Sequence, residues 1–207
     1  MTSWTGASVA LIGAYVLGCL STGYYLVRAI KGVDIRTQGS GNAGARNVGR
    51  VLGKAGFVLT ALGDAFKAVV AIWAVHRFLH DEYITALALL AVTAGHIWPV
   101  QLRFRGGKDV ATSLGGLCIH DWRLAAAYLA LFAAGLMLVR KPMLPGLAAF
   151  VGLPAVAVWL NCNWFQISAL IVLAALIVCA HRANLREEFS ALTTHRTSGR
   201  KPGSIDL

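Results

Sequence analysis

Gly39-Ser40-Gly41-Asn42-Ala43-Gly44-Ala45-Arg46-Asn47-Val48-Gly49-Arg50 is a polar, glycine-rich stretch set between two long apolar segments. Glycines permit positive φ and a close approach of the backbone to a ligand, and the two arginines supply cations at the same place, which is how an anion cradle is built. A plain turn between helices is usually shorter and seldom carries a serine, two asparagines and two arginines among its glycines. The apolar flanks set the class. Hydrophobic residues make up 57% of the 207, only 14% are charged, and the mean hydropathy is +0.64. Those values describe a polytopic membrane protein rather than a soluble domain.

Before the glycine stretch, residues 6–30 form an apolar run with no basic region ahead of it and no convincing cleavage site behind it, so it reads as a first membrane helix rather than a signal peptide. Its lower end, Ser21-Thr22-Gly23-Tyr24-Tyr25, is polar enough to face a protein interior. After it, residues 55–75 predict a second helix with Asp64 and Lys67 three apart on one face. Ionisable groups at that depth face the bundle and pair, either to fix helix packing or to serve a site. A third helix is expected over residues 83–100, with Pro99 marking a kink or stop.

A second basic, glycine-containing stretch follows directly: Arg103-Phe104-Arg105-Gly106-Gly107-Lys108-Asp109-Val110-Ala111-Thr112. It has the chemistry of the first, with a lysine as point charge and a helix starting near Asp109 whose amides face an anion. Its spacing is not that of a Walker A loop. The helix expected over residues 110–120 is too short to cross about 30 Å of hydrocarbon as a straight span, so it is short, tilted or re-entrant. Further spans are expected over residues 122–139, 143–160 and 164–180. The last leads into His181-Arg182-Ala183-Asn184, where His181 and Asn184 share a helical face. Residues 1–186 read as one transmembrane domain, and 187–207 as a polar cytoplasmic tail.

Charge orients the chain. Seven spans place sixteen of the nineteen lysines and arginines on one side and only Arg77 and Arg123 on the other, with Lys67 inside the membrane. That asymmetry puts the N-terminus outside, and the C-terminus, both glycine stretches and His181 at the cytoplasmic face. Basic residues separated by membrane-length apolar runs also explain the net charge of +10 without nucleic acid. The four cysteines form no C-x-x-C pair, and no metal, cofactor or disulfide is inferred from them.

The motifs, taken together, resemble the bacterial acyl-phosphate:glycerol-3-phosphate acyltransferases of the PlsY type. The likeness rests on Gly32-Val33-Asp34-Ile35-Arg36 with Gly39-Ser40-Gly41-Asn42, Gly44, Asn47 and Arg50, then Gly53-Lys54 and the Asp64/Lys67 pair. It continues through Gly95-His96-Ile97, Pro99, Phe104, Gly106-Gly107-Lys108 and Val110-Ala111-Thr112 to His181-Arg182 and Asn184. The resemblance implies an all-α, seven-helix membrane enzyme that moves a fatty acyl group from acyl phosphate to the 1-hydroxyl of glycerol 3-phosphate, giving lysophosphatidic acid and phosphate. It implies catalytic roles for Lys108, His181 and Asn184. Substrate phosphate would be held by Ser40, Gly41, Asn42, Gly44, Asn47, Arg50, Gly106, Gly107 and Thr112, with no metal. Its partners would be the two substrates and the lipid bilayer. A reaction whose donor already carries a good leaving group needs orientation and charge stabilisation more than a strong nucleophile.

Departures from the family pattern bear on acceptor identity and activity. Arg46 stands where the family usually has threonine, and Asp109 where it has glycine; as opposite charges they are expected to form an ion pair joining the two cradles. Residues 140–146, ending at Gly146, lack the family's serines, and Glu187-Glu188 replace the motif expected after Asn184. The alternatives are a relative with an altered acceptor or a non-catalytic binder of phospholipids or their precursors. A transporter is disfavoured, because no internal repeat is visible and the charged motifs lie on one face.

Overall fold

Apolar chain in lipid must satisfy its backbone internally, and among the described residues this chain does so as helices joined by short turns. The computed structural model describes residues 4–188 and 190; the expected tail lies outside the described residues from 191 onward. The helices are α1 (Trp4–Cys19), α2 (Thr22–Lys31), α3 (Ala45–Leu79), α4 (Glu82–Ile97), α5 (Ala111–His120), α6 (Trp122–Val139), α7 (Met143–Trp159), α8 (Trp164–Ala180) and α9 (Arg182–Glu188), with 3-10 turns at Ile35–Thr37 and Val100–Leu102. Glu187 and Glu188 lie in α9.

Among the described residues, four stretches are long and apolar enough to cross a membrane: Trp4–Lys31, Ala45–Leu79, Glu82–Leu102 and Trp122–Val139. A fifth is the pair α8 and α9, bent by 61°. At 17 and 10 residues, α7 and α5 fall short on length. The turns α3–α4, α5–α6 and α7–α8 gather round one cleft of about 520 Å³, lined by His76, Glu82, Asp121, Asn161 and Gln166 among others. Loops 32–44 and 98–110 meet at the other end, joined by the hydrogen bond from Ala43 N to Gly106 O, 3.4 Å.

Helix packing relies on small residues that let backbones touch, as expected where lipid offers no hydrophobic drive to association. A Cβ on Gly18 would run into Val92 O, and one on Gly95 into Tyr15 O, so α1 and α4 meet main chain to main chain. Ile72, Leu89, Val92, Leu117, Leu124, Phe150 and Leu173 fill the interior. Large apolar side chains such as Ile12, Leu62, Phe66, Trp73 and Val158 cover the outside, where a bilayer is the solvent.

Two expected elements differ in detail. The first span is broken: α1 ends at Cys19 and α2 begins at Thr22. The break is clasped from α3, where Lys67 Nζ donates to Leu20 O (2.8 Å) and Asp64 Oδ1 accepts from Thr22 N (3.3 Å). The pair is itself joined at 3.1 Å, and Lys67 Nζ also meets His96 Nδ1 at 2.7 Å. An ammonium only donates, so Nδ1 accepts and the ring proton sits on Nε2. Asp64 and Lys67 thus satisfy the backbone groups that the break exposes.

The second span also begins earlier than expected. Helical residues start at Ala45, and the chain bends at Gly53, whose φ of 73° and ψ of −167° only glycine adopts freely. Arg46, Asn47 and Arg50 consequently stand on a helix, not on a loop. Arg46 and Arg50 are exposed on it while Asn47 is buried.

Candidate active site

The first cradle is organised from within by Asn47, 2% exposed. Its amide nitrogen donates to Gln38 O and Asn42 O, both at 2.9 Å, and to Ile35 O at 3.3 Å; its oxygen accepts from Ser40 N at 2.9 Å. The side chain fastens the loop to the start of α3, leaving the exposed Ser40 to offer its hydroxyl outward. Gly39 and Gly41, with φ of 54° and 69°, make the turns that bring the loop round Asn47. Asn42 Oδ1 accepts from Gly44 N at 2.8 Å, and its Nδ2 reaches Gly106 O at 3.5 Å. Gly44 begins α3 with no side-chain cap. First-turn amides left uncapped at a helix N-terminus suit an anion.

Sequence reading passed over the Asp34–Arg36 pair as a structural element. Asp34 caps the 3-10 turn by accepting from Arg36 N, and the Arg36 guanidinium grips its carboxylate at 2.6 Å. Hydrogen bonding to Arg36 holds the Asp34 carboxyl below its ordinary value, against the opposing effect of burial. Arg36 also donates to Leu102 O at 2.6 Å and lies over the Tyr24 ring. Loop 32–44 is thereby tied to the second cradle. The available signal was the D-x-R spacing in a short loop, which fits a capping aspartate whose partner is two residues on.

The second cradle folds back on the end of α4. Gly107 N donates to His96 O at 3.0 Å and Gly106 N to Ile97 O at 3.1 Å. A Cβ on Gly107 would occupy the His96 imidazole, so that glycine is needed for packing. Lys108 then projects the other way. Its ammonium donates to Asn184 Oδ1, joining the loop to α9, and it lies within electrostatic reach of Arg46, Arg50 and Glu187. Partial burial, with the neighbouring arginines, lowers the Lys108 pKa from its ordinary value, and Glu187 opposes that shift.

His181, 8% exposed, ends α8 with Nδ1 2.9 Å from Ile177 O. A carbonyl only accepts, so Nδ1 carries the proton and the neutral ring keeps a lone pair on Nε2. Lys108 and Arg46 are both close enough to act on this ring. Of the residues singled out in the sequence, Lys108, Asn184, His181, Arg46 and Arg50 are brought into one cluster from α3, the second loop, α8 and α9. Two do not open onto it: Asn47 holds the first loop, and Thr112 is fully buried on α5 with its hydroxyl unpartnered.

The expected Arg46–Asp109 ion pair does not form. Asp109, 2% exposed, takes a left-handed conformation (φ 60°) that turns its carboxylate into the bundle, where Ser113 Oγ donates to it. Arg46 is exposed on α3. The sequence supplied opposite charges but not the direction of either side chain. Asp109 does not cap α5 either, since that helix starts from Val110 without a side-chain cap.

Comparison with known proteins shows the family. The profile of the glycerol-3-phosphate acyltransferase family matches residues 8–191. A glycerol-3-phosphate acyltransferase of Desulfitobacterium hafniense is 46% identical over 186 residues, 90% of this chain and 92% of the relative. One of Clostridioides difficile is 37% identical over 198 residues, 93% of this chain and 96% of that one. Among solved structures, PlsY (YgiH), an integral membrane glycerol 3-phosphate acyltransferase in its glycerol 3-phosphate form, superposes with a TM-score of 0.82 at 32% identity, covering 89% of this chain and 92% of the other. Its lysophosphatidic acid form gives 0.80 at 31% over the same shares. With its motifs in order and two glycine-bearing loops meeting under Lys108, this chain belongs to the glycerol-3-phosphate acyltransferase family.

Proposed function

We propose that this chain transfers a fatty acyl group from acyl phosphate to glycerol 3-phosphate, in a multi-pass fold of the bacterial inner membrane with its N-terminus outside and its C-terminus cytoplasmic. The observation that carries the reading is the convergence of Lys108, Arg46 and Arg50 on the Lys108–Asn184 contact, beside the uncapped start of α3. Both substrates are anions, and that cluster offers fixed cations and free amides at a membrane-end site. The acyl chain can stay in lipid while the phosphates sit among the cations.

In the reaction the 1-hydroxyl oxygen of glycerol 3-phosphate bonds to the acyl carbonyl carbon, and the bond from that carbon to the phosphate oxygen breaks. The hydroxyl proton passes to an oxygen of the departing phosphate, so no strong protein base is required. Lys108, Arg50 and Ser40 hold phosphate, and Gly41, Asn42, Gly44, Gly106 and Gly107 shape the walls. Asn184 orients the Lys108 ammonium, while His181 Nε2 accepts a hydrogen bond from the glycerol. Asn47 keeps the first loop in place. Positioning of two bound reactants accounts for much of such a catalyst's advantage.

The gathering of alternate turns at the 520 Å³ cleft supports a reading of seven crossings, in which α5 and α7 run between the two ends of the bundle. Residues 1–186 act as one domain in this reading. The test uses purified protein with palmitoyl phosphate and glycerol 3-phosphate, scored for phosphate and lysophosphatidic acid beside an acyl-CoA control. Lys108→Ala should cut the rate more than tenfold, because a charge-assisted phosphate contact contributes on the order of 1.5–3 kcal/mol. Wild-type turnover in a folded Lys108→Ala protein refutes the assignment.

A further inference from the structure

Behind Lys108 lies a buried polar cluster that the transfer reaction does not use. Asp109 meets it from the loop, Thr112 and Ser113 from α5, Thr93 and His96 from α4, and Lys67 from α3, with Asp64 behind the lysine. Ser113 Oγ donates to Asp109 Oδ2 and lies 3.1 Å from Thr93 Oγ1. The Thr93 and Thr112 hydroxyls lie close enough to act on the Asp109 carboxyl, although neither Asp109 Oδ1 nor Thr112 Oγ1 closes a well-formed hydrogen bond.

The charges do not balance if every carboxyl is ionised. Lys67 is committed to Asp64, Leu20 O and His96, and His96, accepting from that ammonium, is neutral. Lys108 points away to Asn184. Asp109 is thus a buried carboxyl with hydroxyl partners and no cation in contact, an arrangement that disfavours the charged form.

We propose that Asp109 is a positioning residue for Lys108 that works as the neutral acid, and that its ionisation weakens phosphate binding at the adjoining site. The inference rests on the assignment of Lys108 to substrate phosphate. As the neutral acid, Asp109 anchors the lysine loop to α5 and α4 through Ser113 and Thr93 without adding charge. Ionised, it places a negative charge one residue from the phosphate-binding lysine, buried where water screens it little. Burial pushes the Asp109 carboxyl up to about 7, outweighing the opposing effects of its hydroxyl neighbours and Lys67, so the change falls in the working range. Below that value the proton is held and affinity is full; affinity is lost as pH rises through it.

The test compares the KM for glycerol 3-phosphate of wild type and Asp109→Asn from about pH 6 to about pH 8.5, a range in which the substrate's own phosphate also titrates but does so for both proteins. Asparagine tolerates the left-handed backbone and stays neutral. The ratio of wild-type to variant KM should be near one at the acid end and rise about threefold or more at the alkaline end, as for a nearby like charge. A ratio that stays flat overturns the proposal. A second readout needs no turnover: a carboxylic acid band in the pH-difference infrared spectrum of wild type should disappear over the same range and be missing from Asp109→Asn or Asp109→Gly. An unchanged spectrum in those variants overturns it too. A flat ratio with inactive Lys108→Ala sinks this inference alone, whereas an unchanged KM in Lys108→Ala sinks the phosphate assignment beneath it.

Discussion

Replacing Lys67 with methionine probes whether the buried pair exists for the helix break. Lys67 and Asp64 have side chains only 6% and 3% exposed, so neither charge is shared with water. Lys67→Met keeps the volume and removes the ammonium, leaving the Asp64 carboxylate, Leu20 O and His96 Nδ1 without their donor. Breaking one partner of a buried pair costs about 3–5 kcal/mol. The informative variant is the double change Asp64→Leu/Lys67→Met. A pair that only filled the interior would be replaced at no cost or with a gain. Here Leu20 O and Thr22 N, both partly buried at the break, and the buried His96 Nδ1 lose their partners, and three unsatisfied groups at about 1–3 kcal/mol each leave the double variant about 3–9 kcal/mol less stable than wild type. Reversible unfolding by SDS titration in mixed micelles measures both. A double variant as stable as wild type refutes the argument that the pair clasps the break.

Three other outcomes follow from the geometry. Gly107→Ala should destabilise the second loop and lower activity at least tenfold, since the new methyl meets a His96 ring held by Lys67; full activity would show that the loop has room to shift. The Asp34 carboxyl is held below its unfolded value by Arg36, so its contribution is present above the ordinary value of 3.8 and is lost as pH falls through the lower folded value. Hydrogen exchange in loop 32–44 should therefore quicken below pH 3.8 in wild type and already be fast at neutral pH in Asp34→Asn, and equal protection in both at neutral pH would contradict it. Arg46→Thr and Asp109→Gly should have additive effects on kcat/KM within about 0.3–0.5 kcal/mol, as for residues without a shared contact, whereas a large coupling energy would mean the two side chains meet in the working enzyme.

Composition and pattern in the sequence were enough for the membrane class, the helical spans near residues 55–75, 83–100, 122–139 and 143–160, and the stop at Pro99, and they singled out Lys108, His181 and Asn184, which the fold brings near one another. These are local properties: long apolar runs must be helical in lipid, and proline lacks a donor. Tertiary structure alone decided what depends on side-chain direction or on chain far away. The clasp of Leu20 and Thr22 by Lys67 and Asp64 crosses more than forty residues, so periodicity in neither segment could reveal it. Asn47 looks like a ligand in the sequence because polar residues among glycines read as recognition, yet its four hydrogen bonds all go to the loop around it. Opposite charges on Arg46 and Asp109 suggested a bridge, but a left-handed backbone at Asp109 turns its carboxyl into the bundle, away from the exposed Arg46. Attraction between two charges is set by their separation and by the medium between them, and neither is written in a linear sequence until the backbone has fixed where each side chain points.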